Sequence, residues 1–420
     1  MPISAKYINY LILLLLMPVL IVDMLNGIML EKGIELPVSV SQLYKLGILG
    51  LMMYRIAQLK EDFFTVKCTF VLLILSSIVM LFYGYTIMDF INDFIKIFKY
   101  LTPLIAFFFF RSMFRSHNFW IEKKFFTWIT VSYWILVANI LLKLVGVGYP
   151  MYDAGGIGTR GFFHAGNEIS VLLLVLSAIK GYQIWNFSNS KLTYLLFLFL
   201  NVFLGILVTS KTGILGTVVV FCIIAFEPSK FKLTFRQIRT IFISILMVIP
   251  MIVYFVYKFV SQSDIMIRFT YFWEKLDFLT FVLSSRNLYV EKMLMYYDEE
   301  YMWWQKIIGG GQTNYEEMLG HIVEIDFIDL YFAYGLIGLV LFIYFLYYLI
   351  ANAKNNSRKT FFPFARLTFI MSVLLIFLSS LSGHVFNSGI AGMFIGGLFA
   401  MMCIQRPPEI QDKVIETTKI

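Results

Sequence analysis

Charge is what this chain has least of. Asp, Glu, Lys and Arg supply only 14% of its 420 residues, where about a quarter is usual in soluble domains. With 60% of the residues hydrophobic, a soluble globule could not hide the apolar surface, which excludes an ordinary water-soluble enzyme or binding domain. Cysteine is scarce as well. Cys68, Cys222 and Cys403 fall in or beside apolar runs, with neither metal-ligand spacing nor a disulfide pattern, and read as small core hydrophobes. There is no internal repeat, no low-complexity tract and no second soluble domain. The Gly155-Gly156 pair lacks the Gly-Lys-Ser or Gly-Lys-Thr that completes a phosphate-binding loop. No small-residue cleavage site follows the first apolar run, Tyr7 to about Ile28, so that run is expected to be a retained span or signal anchor.

What the chain has in abundance is long apolar runs. A membrane crossing needs about 20 mostly apolar residues, and about twelve runs qualify. They cover 7–29, 38–58, 66–87, 94–111, 121–147, 165–185, 191–208, 212–227, 238–260, 326–351, 364–382 and 386–405. The expected fold class is all-α: a polytopic integral membrane protein with one long extracytoplasmic loop. Residues 1–260 hold nine spans, 261–325 the loop, 326–405 three further spans and 406–420 a cytoplasmic tail. The net charge of +8 would suggest nucleic acid in a soluble domain, but here the positive-inside rule accounts for it. With both termini in the cytoplasm, Arg55, Lys60, Lys67, Arg111, Arg115, Lys123, Lys124, Lys180, Lys191, Lys230, Arg236, Lys354, Arg358, Lys359 and Arg366 all lie inside, as does His117. This orientation puts the polar stretch from Ser261 to Val323 outside, together with a glycine-rich loop from Gly146 to Phe163.

Candidate chemistry gathers on that outer face. Arg160 opens a stretch containing His164, Asn167 and Glu168; it can clamp an anion through paired hydrogen bonds. The bland alternative is an arginine snorkelling to headgroups, with Asn167 as a helix cap. Lys211, in the turn Thr209-Ser210-Lys211-Thr212-Gly213, is either an interfacial anchor beside a cap at Thr212 or a holder of a lipid-linked phosphate. Arg286 follows Ser284-Ser285, which can cap an amphipathic helix from Arg286 to Tyr297, and Tyr289 lies on that piece. Then come His321 and three carboxylates, Glu324, Asp326 and Asp329, where the apolar run begins. Carboxylates at a lipid boundary are costly, so capping, ion handling or acid–base chemistry must explain them. Asp326 as N-cap and Asp329 at the third helical position would suit the helix dipole. Positions 324 and 326 lie about 200° apart on a helix, so the three cannot converge and Glu324 is left unexplained. A carboxylate at this apolar boundary can have a raised pKa, as a general base needs. No full ligand set for a metal is present, and no cofactor is expected. His384 and Asn387, in the last outer hairpin, read more simply as packing residues.

The order of these features resembles the O-antigen ligase and O-antigen polymerase superfamily. The segments that carry the resemblance are Arg160-Gly-Phe-Phe-His-Ala-Gly-Asn, Ser210-Lys211-Thr212, Ser285-Arg286-Asn287-Leu-Tyr and 324–338, which ends in Gly-Leu-Ile-Gly. One departure stands out. The ligase branch carries a His-Asn pair where this chain has Glu324, so a histidine role cannot be carried over by identity. The resemblance implies a polymerase of surface polysaccharide repeat units: an inverting, metal-independent glycosyltransferase of the cytoplasmic membrane. Its donor and acceptor would be polyprenyl-diphosphate-linked glycans, and its partners membrane lipid, a flippase and chain-length regulators. Arg160, Arg286 and Glu324 would be catalytic and line one external cavity. Lys211, His164, Asn167, Asp326, Asp329, Tyr289 and His321 would bind substrate, and Tyr289, Tyr297, Trp303 and Trp304 would offer a sugar platform unless they serve as an interfacial belt. The rival readings are ligase-type transfer to another acceptor and a transporter or flippase of lipid-linked solutes.

Overall fold

A computed structural model describes residues 5–34, 36, 38–116, 119–151, 158–164, 166–188, 190–226, 277–381 and 383–406. The expected span 238–260, the first part of the long loop, the Gly155-Gly156 pair, His117 and most of the tail lie outside the described residues. The rest is helical, as expected. Among the described residues the helices are joined by turns and loops, with no strand and one isolated bridge between Tyr149 and Gly161.

The helices in chain order are α1 (Ala5–Leu16), α2 (Val19–Glu31), α3 (Val40–Ala57), α4 (Lys60–Met80), α5 (Ile87–Phe114), α6 (Phe119–Leu141), α7 (Asn167–Phe187), α8 (Lys191–Val208) and α9 (Lys211–Ala225). After the undescribed stretch come α10 (Phe278–Leu283), α11 (Arg286–Glu299), α12 (Trp303–Ile308), α13 (Gln312–Leu319), α14 (Asp326–Ser357), α15 (Ala365–Leu381) and α16 (Gly392–Ala400). Each expected span other than 238–260 coincides with a described helix, except that 7–29 is divided between α1 and α2. By length and composition, five described helices can cross a membrane: α4, α6, α7, α8 and α14. The α1–α2 pair, bent by 43°, makes a sixth if it is a single span. The apolar helices α9, α15 and α16 are shorter.

Boundaries moved where side chains bond to backbone. The 94–111 run becomes a helix from Ile87 because Thr86 and Asp89 form a capping box: each side chain takes the other's backbone N–H. The 386–405 run is helical only from Gly392, because residues 383–391 form a turn tied to carboxylates elsewhere. Helix α16 lies deepest, with every residue buried. It packs on α5 through Gly392 and Gly396, where a Cβ at Gly396 would stand 2.6 Å from Pro103 O. Small residues four apart allow such close helix approach where lipid supplies no hydrophobic drive. Helix α7 is central too, 72% of its apolar window being buried, against 28% for α4 and α8, whose exposed apolar faces suit lipid.

Contacts sort the polar residues to two ends of the bundle. At one end Arg111 pairs with Asp62, Arg406 with Glu122, and Arg366 donates to the carbonyl of Phe226. At the other end lie Glu31, the 158–168 segment, Lys211, helices α10 to α13, and the 383–391 turn. Helix α14 enters at this second end and is broken at Gly335, whose φ of 63° and ψ of −163° are non-helical. A Cβ there would stand 2.5 Å from Gly309 N. The break is thus where the backbone after α12 crosses α14 at contact distance.

Candidate functional site

The site is built on strained backbone. Among the described residues, five non-glycine residues have a positive φ: Thr209, Ser284, Ser285, Glu324 and His384. Left-handed backbone of this kind costs of order 1–3 kcal/mol per residue and gathers where geometry is over-determined by function. Each of the five is a candidate site residue or stands within two positions of one.

Glu324 is the hub. Its Oε2 accepts from Arg286 at 2.6 Å and from Asn167 Nδ2 at 3.5 Å, and its Oε1 lies 3.5 Å from His384 Nε2. The side chain is about a third exposed, whereas that of Arg286 is only 10% exposed. Lys211 is within electrostatic reach of Arg286. Three cations and one carboxylate therefore converge from α9, α11, the loop before α14 and the turn before α16. Burial raises the Glu324 carboxyl, but hydrogen bonds and charge from His384 and Arg286 outweigh it and hold the group down at about 2. Burial lowers the His384 imidazole, but Glu324, Glu168 and Asp326 lift it to about 9. The raised pKa that the apolar boundary allows is therefore reversed at Glu324. The apolar boundary was legible and Arg286 was expected in one cavity with Glu324, but the second cation, His384, was not.

The three carboxylates do diverge, as helix geometry required. The capping roles expected of them are wrong in detail. Residue Ile325 is the N-cap of α14 and makes no side-chain cap. Asp326 is fully buried and its Oδ2 accepts from the backbone N–H of Val385 at 3.0 Å and Phe386 at 2.8 Å. Asp329, also buried, accepts from Tyr315 Oη at 2.5 Å and Val323 N at 3.1 Å. Each thus serves a chain segment outside its own helix. Two other expected caps moved as well. Ser210, not Thr212, caps α9 by accepting from Gly213 N at 3.2 Å. Ser285 starts α11 without a side-chain cap.

Arg160 pairs with Glu31 at 2.5 Å and donates to His164 O at 2.8 Å, pinning the 158–164 segment to the end of α2. It was expected beside Arg286 and Glu324, but its ion pair is elsewhere. The link to the hub runs through Asn167 instead. His321 and Tyr289 sit ring against ring, 4.1 Å between centroids, on the exposed surface of the loop region. Tyr297 is buried and hydrogen-bonded to Tyr331, while Trp303 is 75% exposed. Glu168 accepts from Ser388 Oγ at 2.7 Å and Ile390 N at 2.9 Å, fixing the turn that carries His384. Sequence reasoning treated His384 as packing. The one available signal was a lone Gly-His step between two apolar runs. Among the described residues, no group of three His, Cys, Asp or Glu side chains is placed to hold a metal.

A search of curated proteins finds no match to this chain. Residues 269–406 match the family model described as O-antigen ligase like membrane protein. The part of the chain that carries Arg286, Glu324 and His384 is thus similar to the O-antigen ligase like membrane proteins over about a third of the chain's length.

Proposed function

We propose that the protein is a glycosyltransferase that joins polyprenyl-diphosphate-linked oligosaccharide repeat units into a surface polysaccharide. It works at the outer face of the cytoplasmic membrane, with both termini inside. The observation that supports this best is the convergence of Arg286, Lys211 and His384 around a single carboxylate, Glu324. Three cations gathered on one partly exposed carboxylate suit a diphosphate, whose charge grows as it leaves.

The acceptor hydroxyl oxygen attacks the anomeric carbon from the face opposite the leaving group, which inverts that carbon. The new C–O bond forms as the bond to the phosphate oxygen breaks, and the diphosphate departs with the electron pair. The hydroxyl proton goes to Glu324. While Arg286 holds Glu324 the carboxylate is a weak base. A donor diphosphate that draws Arg286 to itself removes one of the two cations that depress Glu324, so donor binding itself readies the base. His384, cationic near neutrality, faces the leaving group and needs no reorganisation to stabilise it. Asn167 orients Glu324.

Transfer to another acceptor, as a ligase would perform it, uses the same groups and differs only in what supplies the hydroxyl. A flippase would use a broken helix, and α14 is broken at Gly335. The contact of Gly335 with Gly309 accounts for that break without a transport role. The deciding experiment supplies the detergent-purified protein with a lipid-diphosphate oligosaccharide, a setting without two compartments. Chains of several repeat units are expected from the wild type, and Glu324→Gln should make none while remaining folded. Transport in vesicles without chain extension in detergent would establish the flippase reading instead.

A further inference from the structure

Beside the hub, on the far side of Glu168, lies a second cleft of about 150 Å³ between α2, α3, α5 and the turn at Gly389. A single water fills about 10–15 Å³ measured this way, so the cleft has room for something the size of a sugar ring. Its polar lining is unusual for its depth. Asp23 is 5% exposed; Lys45 reaches its Oδ1 at 2.5 Å and Ser41 bonds the same oxygen, while Oδ2 is buried without a partner. Lys45 is also occupied by Gly389 O at 2.7 Å. Both bonds that Glu168 accepts fall on Oε2, which leaves Oε1 open. Lys99, one turn along α5, lines the same cleft and makes no ion pair or hydrogen bond with any described residue. Gly389 lies between Lys99 and Glu168: a Cβ there would be in ordinary contact, 3.8 Å, with both Lys99 Cε and Glu168 Oε2. Exposed His164 belongs to the lining, so the cleft reaches the surface.

An unpaired ammonium in a part-buried site gains from an anionic ligand, and unpaired buried carboxylate oxygens gain from hydroxyl donors. One chemical class offers both on a single ring. We propose that this cleft is a subsite for an acidic sugar, a uronic acid unit of the glycan, with its carboxylate on Lys99 and its hydroxyls on Asp23 Oδ2 and Glu168 Oε1. The position is apt. Glu168 follows Asn167, which reaches Glu324, and its charge acts on His384. A sugar held here lies next to the reacting one, so the cleft selects which repeat unit is extended.

The proposal rests on the glycan-transfer reading but is tested apart from it, by binding without turnover. The full-length protein in detergent is titrated with a uronate-containing oligosaccharide, with the same oligosaccharide after its carboxyl is reduced to an alcohol, and with inorganic pyrophosphate. The wild type should prefer the uronate. Lys99→Gln should weaken uronate binding about 10- to 100-fold, the worth of one charge-assisted hydrogen bond, and leave the reduced sugar and pyrophosphate unchanged. Lys99→Arg should keep most of the preference. Equal binding of the two sugars by the wild type would overturn the subsite. So would a Lys99→Gln protein that loses pyrophosphate instead, since Lys99 would then serve the carrier's diphosphate. A protein that binds uronate through Lys99 yet never extends chains would overturn only the polymerase reading.

Discussion

At the scale of single residues, everything turns on Glu324 and its two cationic partners. A carboxyl at about 2 and an imidazole at about 9 define where the cluster is intact. The carboxyl lies below its ordinary 4.5, so its contribution is present above that value and fades as pH falls through about 2. The imidazole lies above its ordinary 6.5, so its contribution is complete below 6.5 and is lost as pH rises through about 9. Chain extension should therefore fall on the alkaline side with a midpoint near 9. In His384→Gln that limb should vanish from a rate that is already lowered throughout. A pH–rate profile of both proteins is the check, and an unchanged alkaline limb in the variant would take His384 out of the site. Sequence alone carried Glu324 this far because it lacked a bland explanation; Arg286 had one, an ion pair with Asp or Glu, and the pair it makes is with Glu324 itself. His384 could not be found that way: its partner lies 60 positions upstream, and no local pattern records so distant a meeting.

At the scale of elements, the turns do the positioning and the helices supply the frame. Asp326 holds the turn before α16 by two backbone N–H groups, and Gly383 lets that turn approach. Gly383 has a φ of 55°, and a Cβ on it would come within 1.9 Å of Glu324 O. Gly383→Ala must therefore push His384 away from Glu324. Asp326→Ala instead strands two buried donors, at about 1–3 kcal/mol each. Both variants should unfold at lower temperature in detergent. Gly383→Ala should also shed the alkaline limb described for His384, since it separates the same pair; a Gly383→Ala protein with normal stability and activity would show that the close approach is not needed. The helices themselves were largely legible from apolar runs, because length and hydropathy decide them. Their ends were less so. The Thr86 and Asp89 capping box was readable in principle, whereas the shortening of α16 to Gly392 was not. Tertiary bonds from Glu168 and Asp326 keep 383–391 out of the helix, although the stretch is apolar enough to join it.

At the scale of the whole molecule, the placement of charge along the sequence anticipates the two polar ends of the bundle. Arg111 and Arg366, assigned to the cytoplasm by the positive-inside rule, fall together at the end with Asp62, Glu122 and Arg406. Lys211, Arg286 and Glu324, assigned outside, fall together at the other. Helix α9 starts beside Arg286 and finishes where Arg366 meets Phe226. Asp277 lies next to α10, at the site end again. This arrangement has a direct test. In a protein whose three cysteines are replaced by serine, a single cysteine is placed at exposed Ser284 or at exposed Lys359. In intact cells a membrane-impermeant maleimide should label Ser284→Cys and leave Lys359→Cys untouched until the membrane is opened. Labelling of both positions from the same side would mean an even number of crossings between them. Helix α14 joins the two ends directly, so that result would overturn the placement of α10 to α13, and with them Arg286 and Glu324, on the outer face.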